Sequence, residues 1–372
     1  MTTRERFNRS MRFEPVDQLP NFELGWWGHT VERWLAEGMP EEITREPGFH
    51  GCAPLGIDRR DYLPLSFGPI PAFEYEVLEE TDRHILFRDG EGILHRALKE
   101  GTVRGTRPSM DQYIAFAVEG PDDWPAVKAR YDPTDPARYP ANWDEIVAQH
   151  AQRDYPLCAV MNGAMGFYSH CRRWMGTENL SLAFHDQPAL VHEMMDHIAD
   201  FLIGFLDRAL TEVQVDYFNW FEDFAYKTGP LFSPATFREF FLPRYQRVNG
   251  WLRSKGVPFI SLDSDGNIDV LLPLIIEADI DGIWPLEQAA TSDPYWIRRE
   301  FGRDLTLSGG IDKRELAKDR PAIDAELRRF LPLVADGGFI PTIDHAVSPD
   351  ISWDNFLYYL EVKQKLLRGE GF

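Results

Sequence analysis

Beyond about residue 140, the chain alternates short apolar runs with longer segments in which apolar residues recur at helical spacing. The apolar runs are PLCAVMNGAM, DYFNWFED, PFISLD, GIWPLE, LTLSGGID and GFIPTIDH. Apolar runs of this length bounded by polar turn residues are typical of buried strands. Six strand-then-helix units in series predict a parallel β-sheet covered by helices.

The number of units favours a TIM (β/α)8 barrel. A strand predicted at LPNFELG, together with one strand that the pattern does not reveal, brings the total to eight. A doubly wound open sheet is the alternative, but no GxGxxG motif follows the first strand. The fold class is therefore α/β, with a helix over residues 3–12 as an N-terminal extension.

The stretch from residue 60 to 110 does not follow the strand–helix pattern. Residues 73–88 and the run ILHRAL alternate apolar and charged positions, with glycines at a turn between them. This pattern predicts a small β-meander inserted into one domain that spans residues 1–372.

Composition and charge narrow the classes of partner. Hydrophobic residues make up 44% of the 372 residues, which supports a large core. The 60 acidic and 39 basic residues give a net charge of −21, which disfavours nucleic acid and anionic membranes as partners. Three cysteines without a CxxC motif, no secretory leader and no apolar run of about 20 residues predict a cytoplasmic protein.

A barrel would gather the residues that follow its strands at one mouth. Most of these residues are ionisable, and they are Glu23, Asn162, Glu222, Asp223, Asp263, Asp265, Glu287, Asp312, Asp344 and His345. Any one of them alone is equally typical of a turn or a helix N-cap. So many carboxylates in one mouth repel each other unless a cation or a shared proton lies among them.

A metal site is one solution. Asp263 and Asp265 place two carboxylates on one side of an extended segment, and His345 and Glu222 add a nitrogen and an oxygen. This donor set favours Zn²⁺, with Mn²⁺ and Fe²⁺ as alternatives. The competing interpretation is that DSDGN is only a turn, because its residues are all turn formers.

Other residues near the strand ends suggest catalytic and substrate-binding roles. Lys227 offers a cation that could orient an anion beside Glu222, which we expect to act with Asp263 and His345 in catalysis. We expect the substrate to contact Glu23, Trp26, Trp27, Asn162, Tyr226, Glu287, Asp312 and Asp344. The alternative for the two tryptophans is that they only pack a loop onto a helix. The alternative for Lys227 is that it only offsets charge in a surface loop.

Five segments carry a resemblance to a known family. They are RERFNRSMRFEPVDQLP, SDGNID, IDGIWPLE, LSGGIDKREL and GGFIPTIDHAVSPDISWDNF. In order and spacing they resemble the uroporphyrinogen decarboxylase superfamily along nearly the whole chain. The resemblance implies a TIM barrel with its active site at the carboxyl-terminal mouth, and one of two activities: decarboxylation in the haem pathway or corrinoid-dependent methyl transfer.

The two branches differ in their site residues. The decarboxylases carry an arginine-rich loop of the form RQAGRY near the first strand, whereas this chain has NFELGWWGHT there and no arginine between Asp17 and Arg33. The methyltransferases bind zinc through His-x-Cys and a later Cys, and these positions fall on Asp263-x-Asp265 and His345. Asp and His would bind a cation of harder character than a thiolate site does.

The resemblance and the residues together predict a metal-assisted methyltransferase. It would move a methyl group between a small donor or acceptor molecule and a corrinoid carried by a partner protein, and the sequence leaves a homodimer open. One alternative is a metal-free decarboxylase in which Asp263 or Glu222 donates the proton. A non-catalytic ligand-binding barrel is the other alternative.

Overall fold

A computed structural model describes residues 1–45, 48–161 and 163–372. Its strands are β1 (Asp61–Tyr62), β2 (Glu76–Glu80), β3 (His84–Arg88), β4 (Leu94–Leu98), β5 (Gln112–Ala115), β6 (Leu157–Cys158), β7 (Phe218–Phe221), β8 (Ala225–Tyr226), β9 (Gly229–Pro230), β10 (Ile260–Asp263), β11 (Gly282–Leu286), β12 (Thr306–Ile311) and β13 (Phe339–Ile343).

The α-helices are α1 (Thr3–Ser10), α2 (Gly28–Ala36), α3 (Trp124–Lys128), α4 (Trp143–His150), α5 (Phe167–Met175), α6 (Thr177–Asp186), α7 (Pro188–Glu212), α8 (Pro234–Thr236), α9 (Leu242–Ser254), α10 (Leu272–Glu277), α11 (Pro294–Phe301), α12 (Lys313–Leu316), α13 (Arg320–Arg328), α14 (Leu331–Asp336) and α15 (Trp353–Leu367). None of the described helices is long and apolar enough to cross a membrane.

A five-stranded parallel sheet forms the centre of the molecule, in the order β13-β12-β11-β10-β7. Helices separate its strands along the chain, which confirms the predicted α/β fold with a parallel sheet. Strand β1 pairs in parallel with β6, and a single parallel bridge from Cys158 to Tyr217 connects β6 with the segment that enters β7.

Four antiparallel strands, β2 to β5, form a separate small sheet over residues 76–115. This is the meander that the sequence predicts, but β1 lies within the predicted 60–110 segment and pairs with β6 instead. Strand β1 is only two residues long, which explains why its pattern does not stand out. The limits of the single domain remain a prediction.

Helix α7 shows how the sequence pattern becomes packing. Its apolar positions, from Leu190 to Leu210, lie on one buried stripe, and Pro188 occupies the first turn, where a missing N–H costs no helical hydrogen bond. The N-cap of α7 is Gln187, and Asp186 belongs to the end of α6. The N-cap of α11 is Asp293, whose side chain accepts from the Tyr295 N–H at 2.9 Å.

Glu23 does not contact an open mouth. Its carboxylate is fully buried and lies 2.5 Å from the ammonium of Lys363 and 2.5 Å from the hydroxyl of Tyr359, both on α15. It also accepts from the Ile343 N–H at 3.1 Å. Burial lowers the pKa of Lys363, although Glu23 opposes the shift. The carboxylate therefore holds α15 to the end of β13, and the substrate-binding role of Glu23 stays a prediction.

Glu222 is equally occupied. Its carboxylate accepts from the backbone N–H groups of Phe167, Tyr168 and Ser169 at the start of α5, at 2.8, 2.8 and 3.2 Å, and from the Tyr245 hydroxyl of α9. Free N–H groups at a helix N-terminus favour an anion there. Glu222 is therefore a helix cap, and its roles as metal ligand and catalytic group stay predictions.

We expect the variant Glu23→Gln to lower the free energy of unfolding by about 3–5 kcal/mol, because it leaves the buried ammonium of Lys363 without a counter-charge. Urea denaturation followed by circular dichroism measures this change. The double variant Glu23→Gln/Lys363→Met should recover more than half of the loss. A single variant within 1 kcal/mol of the wild type would contradict the assignment.

Burial raises the pKa of Glu222 from 4.5 to about 7, although Tyr245 and the three backbone N–H groups oppose the shift. The folded state therefore binds more protons than the unfolded state between these pH values, so this group's stabilisation is complete below pH 4.5 and is lost as pH rises through 7. The difference in unfolding free energy between wild type and Glu222→Gln should change by about 3 kcal/mol between pH 5 and 8. Urea titrations across this range measure the difference, and a pH-independent difference would refute the shift.

Candidate functional site

Three ionisable side chains converge where β10, β11 and β13 end. Asp265, Glu287 and His345 each place a possible ligand atom within 4.8 Å of the other two. His345 Nε2 lies 3.4 Å from Asp265 Oδ2. These residues come from the loops after β10, β11 and β13, which meet because parallel strands have their carboxyl ends at the same edge of the sheet.

The backbone of the 264–267 turn determines where Asp265 lies. Gly266 has a φ of +86°, and a Cβ atom there would come within 2.7 Å of the Ala225 carbonyl oxygen. Its N–H donates to Glu287 Oε2 at 2.9 Å, and this bond connects the β10 loop with the β11 loop. The turn formers in DSDGN therefore build a turn that also presents a carboxylate, so the two interpretations of this motif do not exclude each other.

Asp223 lies next to the cluster and holds the backbone of Asp265 in place. Its Oδ1 accepts from the Asp265 N–H at 3.2 Å, and its own backbone has a φ of +48°, which an L-residue rarely adopts. Arg172 lies 3.8 Å from the Asp223 carboxylate and donates to the Asp223 carbonyl at 3.1 Å. A strained backbone at this point is consistent with a functional constraint.

The electrostatics of the cluster reflect crowded negative charge. The contact with Asp265 raises the pKa of His345. Burial raises the pKa of Glu287 and of Asp223, and the charge of Asp265 raises both further. Such a set binds protons more readily than isolated groups do, and a divalent cation would relieve the same repulsion.

Trp27 forms one wall of the cluster. Its indole stacks on the His345 ring with a centroid separation of 5.8 Å and an angle of 7° between the planes, and the residue is 42% exposed. Trp26 behaves differently, because it packs against Trp34 and Phe356 and forms a parallel bridge with Val347. Of the two predicted aromatic contacts, only Trp27 borders the cluster.

Asp263 lies inside the sheet, not in the cluster. It is 5% exposed and pairs with Phe221 and Trp284 in strand register. Among the described residues, Glu287 lies together with Asp265 and His345, whereas Asp263 and Glu222 of the predicted metal set are not part of this group. Strand alternation would keep the two aspartates of Asp-x-Asp on one side, but β10 ends at Asp263 and the turn over residues 264–267 carries Asp265 away from it.

Two other predicted site residues have structural roles. The Asp312 side chain is the N-cap of α12 and pairs with Arg314 at 2.6 Å. Asp344 is buried and accepts from the backbone N–H groups of Gln288 at 3.0 Å and Lys313 at 3.2 Å. Burial raises the pKa of Asp344. Both carboxylates hold loops together, and their contact with substrate stays a prediction.

The remaining predictions concern the surface and one undescribed position. Tyr226 is 66% exposed and Lys227 is exposed, and in the described chain no ion pair involves Lys227. The Glu222 carboxylate lies against α5 and Tyr245, and the catalytic role of Lys227 stays a prediction. Asn162 lies outside the described residues.

Sequence reasoning missed a buried cation. The Arg60 guanidinium donates to the Glu23 carbonyl at 2.6 Å and to the Phe49 carbonyl at 2.8 Å, and it lies 3.8 Å from the Phe49 ring centroid. Burial lowers its pKa, and the charge of Asp263 opposes the shift. Arg60 is distant in sequence from the expected arginine-rich loop, so no local pattern identifies it.

Comparison with known proteins assigns the family. The model of the family described as Uroporphyrinogen decarboxylase (URO-D) matches residues 102–366, well over half of the chain. The chain is 26% identical over 204 residues to the uroporphyrinogen decarboxylase of Alcanivorax borkumensis, covering 50% of this chain and 52% of that protein. It is 31% identical over 187 residues to the uroporphyrinogen decarboxylase of Rhodococcus erythropolis, covering 46% and 48%. The chain thus spans about half the length of the curated relatives it matches.

A solved structure shares the fold along nearly the whole chain. It is described as a methyltransferase from Methanosarcina mazei, with a TM-score of 0.58, 16% identity and coverage of 98% of both chains. At this identity the likeness concerns the fold alone. The family match, however, covers most of the residues that build the cluster and its sheet. The chain belongs to the uroporphyrinogen decarboxylase (URO-D) family.

Proposed function

We propose that this chain is an enzyme that binds a divalent cation through Asp265, Glu287 and His345 and transfers a methyl group. The observation that carries the proposal is the convergence of these three ligand atoms within 4.8 Å. Four other acids form ion pairs, helix caps or backbone hydrogen bonds, as a purely structural role would require: Glu23, Glu222, Asp312 and Asp344. This cluster is different, because its members face each other in a partly open space.

The donor set fits a first-row divalent cation. Two ligands that each lie about 2.1 Å from one tetrahedral Zn²⁺ are about 3.4 Å apart, and the distance from His345 Nε2 to Asp265 Oδ2 is 3.4 Å. Two carboxylates and one imidazole favour Zn²⁺, with Mn²⁺ and Fe²⁺ as alternatives. Three protein ligands leave coordination positions for a substrate, which is typical of a catalytic site rather than a structural one.

The cation would act as a Lewis acid on the atom that carries the methyl group. The protein's own residues prepare this step. Asp223 and Gly266 fix the ligands of the β10 loop, while Trp27 covers one face of the His345 ring. A cation held by carboxylate and imidazole ligands is better suited to activating a methyl group bound to oxygen or nitrogen than to activating a thiol.

The methyl acceptor in this proposal is a cobalt(I) corrinoid carried by a separate protein. The sequence resemblance to the corrinoid-dependent branch supports this choice, and so does the lack of an arginine-rich loop before Arg33. The shared fold with the Methanosarcina mazei methyltransferase is compatible with it. We place the protein in the cytoplasm, where reducing conditions suit three buried cysteines without a CxxC motif.

We further propose that the sheet closes into a (β/α)8 barrel. Beyond the five paired strands, the bridge from Cys158 to Tyr217 reaches β6, which pairs with β1. The Asp58 N–H donates to the Asn21 carbonyl at 2.8 Å, and Trp26 bridges Val347 after β13. These contacts would place residues 21–26 as the strand that completes the ring.

A decarboxylase remains the second candidate because one observation favours it. The curated relatives are named uroporphyrinogen decarboxylases, and Arg60 and Asp263 are a buried cation and a buried acid. In that case Asp263 would donate a proton and no cation would be required. The acidic cluster argues against a substrate with many carboxylates, because like charges repel.

A metal-binding measurement tests directly whether Asp265, Glu287 and His345 bind a cation. Protein treated with a chelator and titrated with Zn²⁺ in a calorimeter should bind one ion per chain with a Kd below about 10 µM. The variants His345→Ala and Asp265→Asn should weaken binding by about 100-fold or more, since each removes a ligand. Titration with Co²⁺, followed by its visible absorption, gives a second readout that does not depend on activity.

Asp312→Asn provides the matched control, because Asp312 also follows a strand but caps α12 outside the cluster. This variant should bind Zn²⁺ as the wild type does. Wild-type protein that binds no zinc, or ligand variants that bind it normally, would refute the proposed site.

Turnover of uroporphyrinogen separates the two candidate functions. We expect the chain to release CO₂ from uroporphyrinogen at least about 1,000-fold more slowly than the Alcanivorax borkumensis relative, because its mouth opposes carboxylates. Product analysis by chromatography measures this. Decarboxylation at a comparable rate that survives a chelator would instead establish the metal-free decarboxylase.

A further inference from the structure

A cavity of about 510 Å³ lies between helix α15 and the loop that leads into β1. Its wall is made of side chains from three segments, 18–21, 54–58 and 357–364. It shares no residue with the proposed metal site, and neither candidate function uses it. Its chemistry is therefore a separate question from that of the cluster at the strand ends.

Hydrogen bonds fix the loop wall of this cavity. The Asn21 N–H donates to Asp58 Oδ2 at 2.8 Å, and the Asp58 N–H donates back to the Asn21 carbonyl at 2.8 Å. Asn21 Nδ2 donates to the Gly56 carbonyl at 2.7 Å. On the helix side, Gln364 Nε2 lies 3.7 Å from where a Cβ atom of Gly56 would be. The two walls thus meet without a ligand, which lowers the entropic cost of binding.

Asn21 holds a buried acceptor that the protein does not use. The residue is 1% exposed, and its Oδ1 has no hydrogen-bond partner in the part of the chain that the structure describes. The same amide group is bonded through Nδ2 to Gly56, so it lies at the floor of the cavity. Buried acceptors without a donor are rare, because they lose their hydrogen bond to water on folding. Asn21 therefore favours a ligand that donates hydrogen bonds.

The two charged side chains of the cavity wall are both acidic. They are Asp58 on the loop and Glu361 on α15. Among residues 1–45, 48–161 and 163–372, neither carboxylate forms an ion pair, and Lys363 on the same helix pairs with the buried Glu23 instead. An anionic ligand would be repelled from both walls, whereas a cation would be attracted to both.

Apolar side chains form most of the remaining wall. Pro54 and Leu55 belong to the loop, and Leu357 and Leu360 belong to α15. Leu357 is 41% exposed and lies one helical turn before Glu361, so an apolar surface leads directly to a carboxylate. Methylene groups pack well on such a surface while their charged end stays at the acid. Two carboxylates are also fewer ligands than Zn²⁺ or Ca²⁺ takes, which favours an organic cation.

We propose that this cavity binds a linear alkyl diammonium, with one ammonium at Asp58, the other at Glu361 and the methylene chain against Leu357. Each ammonium brings three N–H donors and no acceptor, which suits the carboxylates and Asn21 Oδ1. The methylene chain leaves water as it packs on the leucine, so affinity depends on apolar contact as well as on charge. This inference does not depend on the proposed function.

Calorimetric titration of the full chain tests the site. It is carried out in about 150 mM salt, where the attraction of distant surface charges is screened. Diaminobutane should bind at one site per chain and about 10-fold more tightly than butylamine, butanediol or Mg²⁺, because only the diamine offers a charged donor to both acids.

Two variants and one control locate the binding. Asp58→Asn and Glu361→Gln should each weaken diaminobutane binding about 10-fold, since each removes one charge from the wall. Asp354→Asn should not change it, because Asp354 lies on the same helix outside the cavity and pairs with Arg320. Circular dichroism shows whether each variant is folded. Glu361 is exposed and holds no loop, so Glu361→Gln decides the test if Asp58→Asn does not fold.

The outcomes separate this site from general attraction to an acidic protein. Equal binding of butylamine, tighter binding of Mg²⁺, or normal diamine binding by Glu361→Gln would each overturn the proposal. A loss as large in Asp354→Asn would show that the diamine follows the acidic surface as a whole, and would overturn it too. None of these results changes the expected binding of Zn²⁺ by Asp265, Glu287 and His345, so the proposed function is tested separately.

Discussion

Parallel strand pairing imposes one constraint on this molecule: the carboxyl ends of β7 and β10 to β13 all lie at one edge of the sheet. The chain places acids at nearly every one of these ends, and carboxylates held close together in a partly dry environment must find partners. The buried Glu23 receives Lys363 and Tyr359. Glu222 receives the free N–H groups of α5. These contacts also attach a helix to the sheet, α15 through Glu23 and α5 through Glu222. The same interaction therefore compensates the charge and packs the helix.

The candidate site contains the acids that have neither a lysine nor a helix N-terminus as partner. Asp265, Glu287 and His345 face each other, and no arginine or lysine in the described part of the chain forms an ion pair with these two carboxylates. The Asp223 carboxylate accepts from the backbone N–H of Asp265, and Arg172 is the cation next to Asp223. The surrounding structure therefore holds in place a cluster whose own repulsion would otherwise separate it, and a divalent cation is the chemical species that such an arrangement suits.

The same arrangement is our reason for proposing a reaction other than the one for which the curated relatives are named. Those relatives are named uroporphyrinogen decarboxylases, whereas acids follow the strands of this chain and the buried Arg60 donates to backbone carbonyls. A cavity next to Trp27, beside the small antiparallel sheet, is a second local feature. A fold can host several chemistries, so function is argued from local features of this kind.

The sequence by itself determined the α/β class, the parallel sheet and the mouth at which polar residues gather, because strand and helix periods are local properties of the chain. It also identified Asp265, His345 and Trp27 as functional candidates. Only the tertiary structure decided which acids remain available. Glu23, Glu222 and Asp344 look like site residues in the sequence, but their partners come from distant segments, as Lys363 does for Glu23 at a separation of 340 residues. Asp312 instead caps its own helix and pairs with Arg314. Glu287 lies beside Asp265 and His345, and Asp263 does not, because the meeting of loops from different strands depends on three-dimensional register, which no local pattern encodes.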